Sequence, residues 1–278
     1  MGVTTAPAYD DLIPNGPLFP TVPLMGLDFA VVSAKQTIDH VISELAYGRG
    51  GSICTANLDI LRQWRGSAEV RDLVSRDDFV VADGMPLVWA SVLQGTPLPE
   101  RVAGSTLVLT LTAAAAETGA SIFLLGGNPG TAAAAGRTLT ELNPGLRLAG
   151  TLCPPFGFEE QPEWLDRIDR LVGEAAPDIV YVGLGFLKQE QLIADLRLRL
   201  PNAWFVGCGI SFSFVAGEIH RAPVAVQRLG LEWLHRLVQE PRRLYRRYLV
   251  NGIPFMFKLL SWSLVVRRRD DLQAEPGS

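Results

Sequence analysis

Cysteine and histidine are scarce in this sequence of 278 residues, with three of each. Cys54, Cys153 and Cys208 are odd in number, far apart and set in apolar surroundings. That pattern excludes a disulfide framework and fits buried free thiols in a reducing compartment. His40, His220 and His235 share no ligand spacing with the cysteines, so no metal site is expected. The opening MGVTTAPAYDDLIPNGPLFP has neither a basic n-region nor an apolar h-region and does not read as a secretory signal. Residues 1–22 are therefore expected to form a flexible leader, and the protein to reside in the cytoplasm. No repeat period and no low-complexity block interrupts the rest.

Strong charge is lacking too: the formal net charge of -4 marks no nucleic-acid partner, and none is expected. Its distribution is uneven. From Arg221 to the end there are 11 basic and 5 acidic residues, whereas the preceding 220 residues hold 14 basic and 24 acidic. A basic tail follows an acidic body.

What is abundant is apolar residues, 48% of the chain, enough for a large core. Short apolar runs at Leu27–Val32, Ser52–Thr55, Phe79–Ala82, Ser121–Leu125, Asp178–Gly183 and Trp204–Gly207 have strand length and close on Gly, Asn, Asp or Thr. Helical patterns at Ala34–Tyr47, Asp59–Val74, Thr106–Thr118, Thr131–Leu142, Trp164–Glu174 and Glu190–Leu200 alternate with them. Strand and helix in alternation predict an α/β fold with a mainly parallel, Rossmann-like sheet and flanking helices over residues 23–220. In open sheets of this kind ligands bind beyond the carboxyl ends of the strands. The residues that follow each run are thus the candidates for chemistry.

Asp83 ends FVVAD and precedes Gly84, which lets the chain turn and leaves the carboxylate facing the crevice. A partly desolvated carboxylate suits a general base. The same position suits an N-cap for a helix starting at Met85-Pro86. Thr55 and Asn57 follow the second run and offer short polar groups for a sugar, or a cap for the next helix. Gly126 and Gly127 open a glycine turn before a helix, a place where phosphate can bind. That turn lacks both GxGxxG and the Walker pattern. Gly185, Lys188, Gln189 and Glu190 arrive together after the fifth run, as either a substrate-binding turn or a solvated first helical turn. An NAD-type oxidoreductase would need a glycine fingerprint after the first strand, where the chain reads Val32-Ser33-Ala34-Lys35.

Six segments, TAN at 55–57, ADGMPLVW at 82–89, ERVAGSTL at 100–107, FLLGGNPG at 123–130, PDIVYVGLGFLKQE at 177–190, and RAP with GLEWLHRLVQEPRRLYRRYL within 221–249, share one order and spacing. Together they resemble the WecG/TagA/CpsF glycosyltransferases, glycosyltransferase family 26. The resemblance implies inverting, metal-independent transfer from a UDP-sugar, of N-acetylmannosamine type or another hexose, to a polyprenyl-diphosphate-linked saccharide in bacterial surface-polymer synthesis. No cofactor is implied. It makes Asp83 the base, Thr55, Asn57 and Gln189 donor-site residues, and Arg101 a phosphate or sugar contact. Three positions depart from the family pattern: Leu187 stands for a proline, Ser213 for an aspartate and Thr106 for an aspartate. A non-catalytic sugar-nucleotide sensor is the alternative those departures suggest.

Residues 221–278 are expected to form an Arg-rich amphipathic appendage. LVNGIPFMFKLLSWSLVV is nearly long enough to span a bilayer but carries Asn251, Gly252, Pro254 and Lys258. An in-plane segment on the inner face of the cell membrane is expected, with Phe255, Phe257, Leu259, Leu260 and Trp262 in the acyl boundary. Packing on the body or in a homo-oligomer is the alternative. Arg236, Arg243 and Arg246 would share a face of one continuous helix and hold a lipid diphosphate, unless Pro241 breaks that helix.

Overall fold

The structure, a computed structural model, describes residues 17–228 and 230–274. Residues 1–16 of the expected leader and the last four of the expected appendage lie outside them; Thr21 and Val22 already belong to a strand. Two strands, β1 (Thr21–Leu24) and β2 (Leu27–Ala30), form an antiparallel hairpin. Met25 and Gly26 both have positive φ, 51° and 97°, as a two-residue hairpin turn requires. The expected first strand therefore belongs to this hairpin and not to the parallel sheet.

The main sheet has six strands: β3 (Gly51–Ala56), β4 (Phe79–Ala82), β5 (Ser121–Gly126), β6 (Arg147–Leu152), β7 (Ile179–Gly183) and β8 (Trp204–Gly207). Their order is β4-β3-β8-β7-β5-β6, and every pairing is parallel. Every residue of β3, β4, β5, β7 and β8 is buried, which is why these runs read as continuous apolar stretches rather than alternations. Edge strand β6 is half-exposed and carries Gly150, so no apolar run announced it.

Connecting helices cover both faces: α1 (Ala34–Ala46), α2 (Leu58–Gly66), α3 (Ala68–Val74), α4 (Met85–Gln94), α5 (Gly104–Thr118), α6 (Thr131–Leu142), α7 (Pro162–Ala175) and α8 (Lys188–Arg199). One core joins Ile53, Val81, Leu124 and Tyr181 to Leu107 and Leu111 of α5 and Leu139 of α6. On the other face, Cys54 and Val80 meet Ile60 and Leu61 of α2 and Leu87 of α4, while Val182 and Phe205 meet Ile168 and Leu196. Each large aliphatic or aromatic side chain so enclosed contributes about 1.5–3 kcal/mol. The expected single helix over 59–74 is two: Ser67 is extended at φ -134° and its hydroxyl accepts from Val70 N, starting α3.

After β8 come α9 (Ser211–Val215), α10 (Val224–Arg228), α11 (Glu232–Gln239), α12 (Pro241–Tyr245), a seven-residue π-helix (Arg246–Gly252) and α13 (Ile253–Ala274). Pro241 does break the helix, so the shared face of Arg236, Arg243 and Arg246 does not form. Residues Pro241–Arg269 are long and apolar enough to cross a membrane by length and composition. Yet Leu259 and Ser263 are fully buried against the body, and Phe255, Leu260 and Trp262 pack on the core beneath α4. Of the five side chains expected at the acyl boundary, Phe257 alone is largely exposed, at 61%.

Candidate functional site

A cavity of about 280 Å³ opens beyond the carboxyl ends of β3, β4, β7 and β8. Strand ends contribute Thr55 and Asn57, Asp83, Gly185 and Gln189, and Cys208 to Ser211. The far wall belongs to the C-terminal helices: Trp233 and Arg236 of α11, Arg247, Tyr248 and Gly252 of the π-helix, and Met256 of α13. A second cavity, of about 590 Å³, lies by the hairpin and the amino end of β4, lined by Phe19, Trp64, Arg71 and Asp77. It reaches no carboxyl end of the parallel sheet.

Asp83 sits at the mouth of β4, its N–H bonded to Ala56 O at 2.8 Å. It does not cap α4, whose N-cap is Gly84 without a side-chain bond. Its Oδ2 instead accepts from Gly104 N, the first residue of α5, at 3.2 Å. Burial raises its proton affinity; Arg101 beside it, the Gly104 N–H and Arg221 oppose that, and Glu232 adds to it. A half-buried carboxylate with raised pKa, open to a cavity, can take a proton from a bound hydroxyl.

Thr55 is buried and donates to Gly207 O at 2.7 Å, tying β3 to β8. Asn57 caps α2: Oδ1 accepts from Asp59 N at 3.0 Å and Ile60 N at 3.2 Å. Gln189 accepts from Gly209 N at 3.2 Å and donates to Glu190 at 2.9 Å, fixing the loop after β8. Arg101 pairs with Glu232 at 2.7 Å, with both side chains mostly buried. Arg236 lies 5.8 Å from the Phe214 ring.

Other expected site residues lie elsewhere. Gly126 and Gly127, at φ 115° and 79°, pack β5 against β7: Gly127 N bonds Gly183 O at 2.8 Å, and a Cβ on Gly126 would stand 2.5 Å from that same oxygen. Backbone crowding explains Gly126, and the left-handed φ of Gly127 suits glycine. Lys188 turns away to Glu159 and the Phe156 ring. Arg243 pairs with Glu240 at 2.9 Å, and Arg246 is exposed; neither lines the cavity. Of the arginines after Pro241, the one that lines it is Arg247, whose Nε is 3.1 Å from Asp59 Oδ2. Sequence spacing misses it, because the wide π turn decides which of several neighbouring arginines points inward. Leu187, which stands where the family pattern has proline, takes φ 73°, a conformation closed to proline, so this turn is built differently.

Glu190 lies behind the cavity, 3% exposed, with its pKa pushed up to about 7 by burial. One ligand-type atom each of Cys54, Asp77 and Glu190 falls within 4.8 Å of the others, the one group among the described residues with metal-ligand chemistry. Burial pushes the Cys54 thiol and the Asp77 carboxyl well up as well. Burial thus favours the protonated form of all three, and Glu190 Oε2 has no hydrogen-bond partner among the described residues.

Ser213 and Thr106, the other two departures, face partners outside the cavity. Ser213 donates to Glu218 at 3.0 Å, and Thr106 accepts from Arg221 at 3.0 Å. Neither lines the space where a sugar would lie.

The model of the Glycosyl transferase WecG/TagA/CpsF family matches residues 22–269. A relative from Bacillus spizizenii, N-acetylglucosaminyldiphosphoundecaprenol N-acetyl-beta-D-mannosaminyltransferase, is 32% identical over 231 residues, spanning 82% of this chain and 87% of its own. A half-buried aspartate at a strand end, lining one cavity with Arg101, Arg236 and Arg247, is the setting in which that match falls. The chain belongs to the WecG/TagA/CpsF family of glycosyltransferases.

Proposed function

We propose that this glycosyltransferase moves an N-acetylmannosamine-type sugar from its UDP donor to a polyprenyl-diphosphate-linked saccharide, with inversion and without a metal, on the inner face of the cell membrane. The observation that carries the reading is the placement of Asp83 opposite Arg236 and Arg247 around one cavity. Asp83 takes the proton of the acceptor hydroxyl as its oxygen attacks the anomeric carbon. The bond from that carbon to the donor phosphate breaks, and UDP departs with the electron pair. Arginines and the N-terminus of α5 supply positive charge for the phosphates. Thr55, Asn57, Gly185 and Gln189 line the donor side.

The relative's name supports this donor and acceptor class. So does the placement of Ser213 and Thr106 away from the cavity, since those departures then leave the sugar pocket unchanged. The exposed apolar side chains Val238, Val250, Phe257, Leu264 and Val265, with Arg267 to Arg269 beyond them, suit a membrane surface. Arg243 and Arg246 face outward and fit lipid headgroups or the acceptor diphosphate at the rim.

A panel of UDP-sugars, offered with a polyprenyl-diphosphate N-acetylglucosamine acceptor in vesicles and read as UDP release, tests the reading. UDP-N-acetylmannosamine is expected to give the highest turnover, and Asp83→Asn to lower kcat about 10²–10⁴-fold. No release from any donor, or full turnover in Asp83→Asn, refutes it.

A further inference from the structure

Glu232 is the one acidic side chain that the C-terminal helices place in the cavity wall, and nothing in the reaction above uses it. Its carboxylate is shared: Oε2 meets Arg101 Nη1 at 2.7 Å and Oε1 lies 3.5 Å from Arg221 Nε. Arg221 in turn donates to Thr106 in the first turn of α5, and the first N–H of α5 holds Asp83. Polar contacts thus run from α11 through Arg221 to the first turn of α5, whose leading N–H holds the carboxylate at the end of β4, while Arg101 branches from the same glutamate. We propose that Glu232 is a positioning residue, which restrains Arg101 from collapsing onto Asp83 and so keeps the base free when the C-terminal helices are docked. The inference rests on Asp83 acting as the base.

The physical case is one of competing partners. Asp83 is half-buried, and the Arg101 guanidinium is the strongest opposing influence on its proton affinity. A buried arginine takes the nearest well-placed carboxylate. Glu232 is that carboxylate here, with its side chain 13% exposed and Arg101 at 16%. Without its charge, Arg101 loses its ion-pair partner and still faces the Asp83 carboxylate in the same cavity. A base paired with arginine is a weaker base. The charged groups facing Asp83 are Arg101 from the loop before α5, Arg221 from the segment after α9, and Glu232 from α11; Arg221 and Glu232 act on it with opposite sign.

That opposition supplies the test. In the full chain, with UDP-N-acetylmannosamine and the vesicle acceptor, the pH dependence of kcat/KM is measured for wild type, Glu232→Gln and Arg221→Gln. Glu232→Gln is expected to lower kcat about tenfold and to move the acid limb to lower pH by about one unit, because a negative neighbour of the base is gone. Arg221→Gln is expected to move the limb the other way. Opposite shifts cannot arise from partial unfolding. Glu232→Asp, which keeps the charge, is expected to hold the wild-type limb. An acid limb at the wild-type position in Glu232→Gln, or shifts of one sign in both glutamine variants, overturns the proposal. Asp83→Asn serves as the control: full turnover there sinks the base assignment itself, whereas a dead Asp83→Asn with an unmoved Glu232→Gln sinks only the role of Glu232.

Discussion

From Ala34 to Gly207 most apolar side chains close on one another, with Tyr47, Val92, Leu142 and Phe156 among the exceptions, whereas beyond Gly230 the exposed ones outnumber the enclosed. The strands of the central sheet are buried without exception apart from β6. Across α11 to α13, by contrast, Leu231, Leu234, Val238, Tyr245, Val250, Phe257, Leu264 and Val265 are exposed, and Leu244 and Leu259 are the fully enclosed large apolar residues among those described. The body is shaped by its own packing. The C-terminal helices border the cavity on one side and, on the function proposed above, an apolar medium on the other.

Removing the second region should therefore cost function far more than it costs the first region its fold. Deleting residues 241–278 takes away Arg247, Tyr248 and Met256 from the cavity wall and all the exposed apolar side chains of α13. Transfer to the lipid acceptor is expected to fall about 100-fold or more, since both acceptor delivery and closure are lost. Recovery with anionic vesicles should vanish while a cooperative thermal transition persists. A truncated chain that transfers normally would erase the distinction between the regions.

The two faces of α13 offer a finer contrast. Leu259 is wholly enclosed with Leu87 and Leu98, so Leu259→Ala is expected to cost about 2–5 kcal/mol in denaturant unfolding. Phe257 is 61% exposed, and Phe257→Ala should change stability by no more than about 0.5 kcal/mol. Its vesicle partitioning should weaken about tenfold or more, from the loss of an apolar side chain worth about 1.5–3 kcal/mol in the bilayer. Equal effects of the two substitutions on stability would show that α13 is packed on both faces.

Much of this was legible in the residues. Five of the six sheet strands, the helices between them and the carboxyl-edge location of Asp83, Thr55, Asn57 and Gln189 follow from apolar runs that end on polar or glycine residues. What escaped had local causes. β1 carries Pro23 and too few apolar residues to announce itself, and the Met25–Gly26 turn lacks the usual Asn-Gly or Asp-Gly signature. A cap and a site residue share one residue vocabulary, so spacing left Asp83 open between α4 and the cavity; the structure gives its carboxylate to α5, 21 residues on. Gly126 and Gly127 looked like a phosphate turn because close strand packing and phosphate binding both demand glycine. Arg247 and Glu232 depended on a π turn and on a contact 131 residues apart, and neither has a periodicity to read.

Asn57 carries the smallest expected effect and separates the two roles most cleanly. Its Oδ1 accepts from two of the free N–H groups at the start of α2, those of Asp59 and Ile60, while its NH₂ has no hydrogen-bond partner among the described residues and the residue lines the cavity. Asn57→Asp keeps the acceptor, and a carboxylate is as good a cap beside a helix N-terminus. The melting temperature should stay at the wild-type value, whereas Asn57→Ala should cost about 1 kcal/mol. Donor binding should respond the other way. A carboxylate in place of the amide removes a donor and sets a negative charge where the sugar diphosphate must lie, so KM for the UDP-sugar is expected to rise about tenfold, the equivalent of one lost hydrogen bond to a charged group. An Asn57→Asp enzyme with unchanged KM would confine Asn57 to holding α2, and the donor side of the cavity would then rest on Gln189 and the glycines around it.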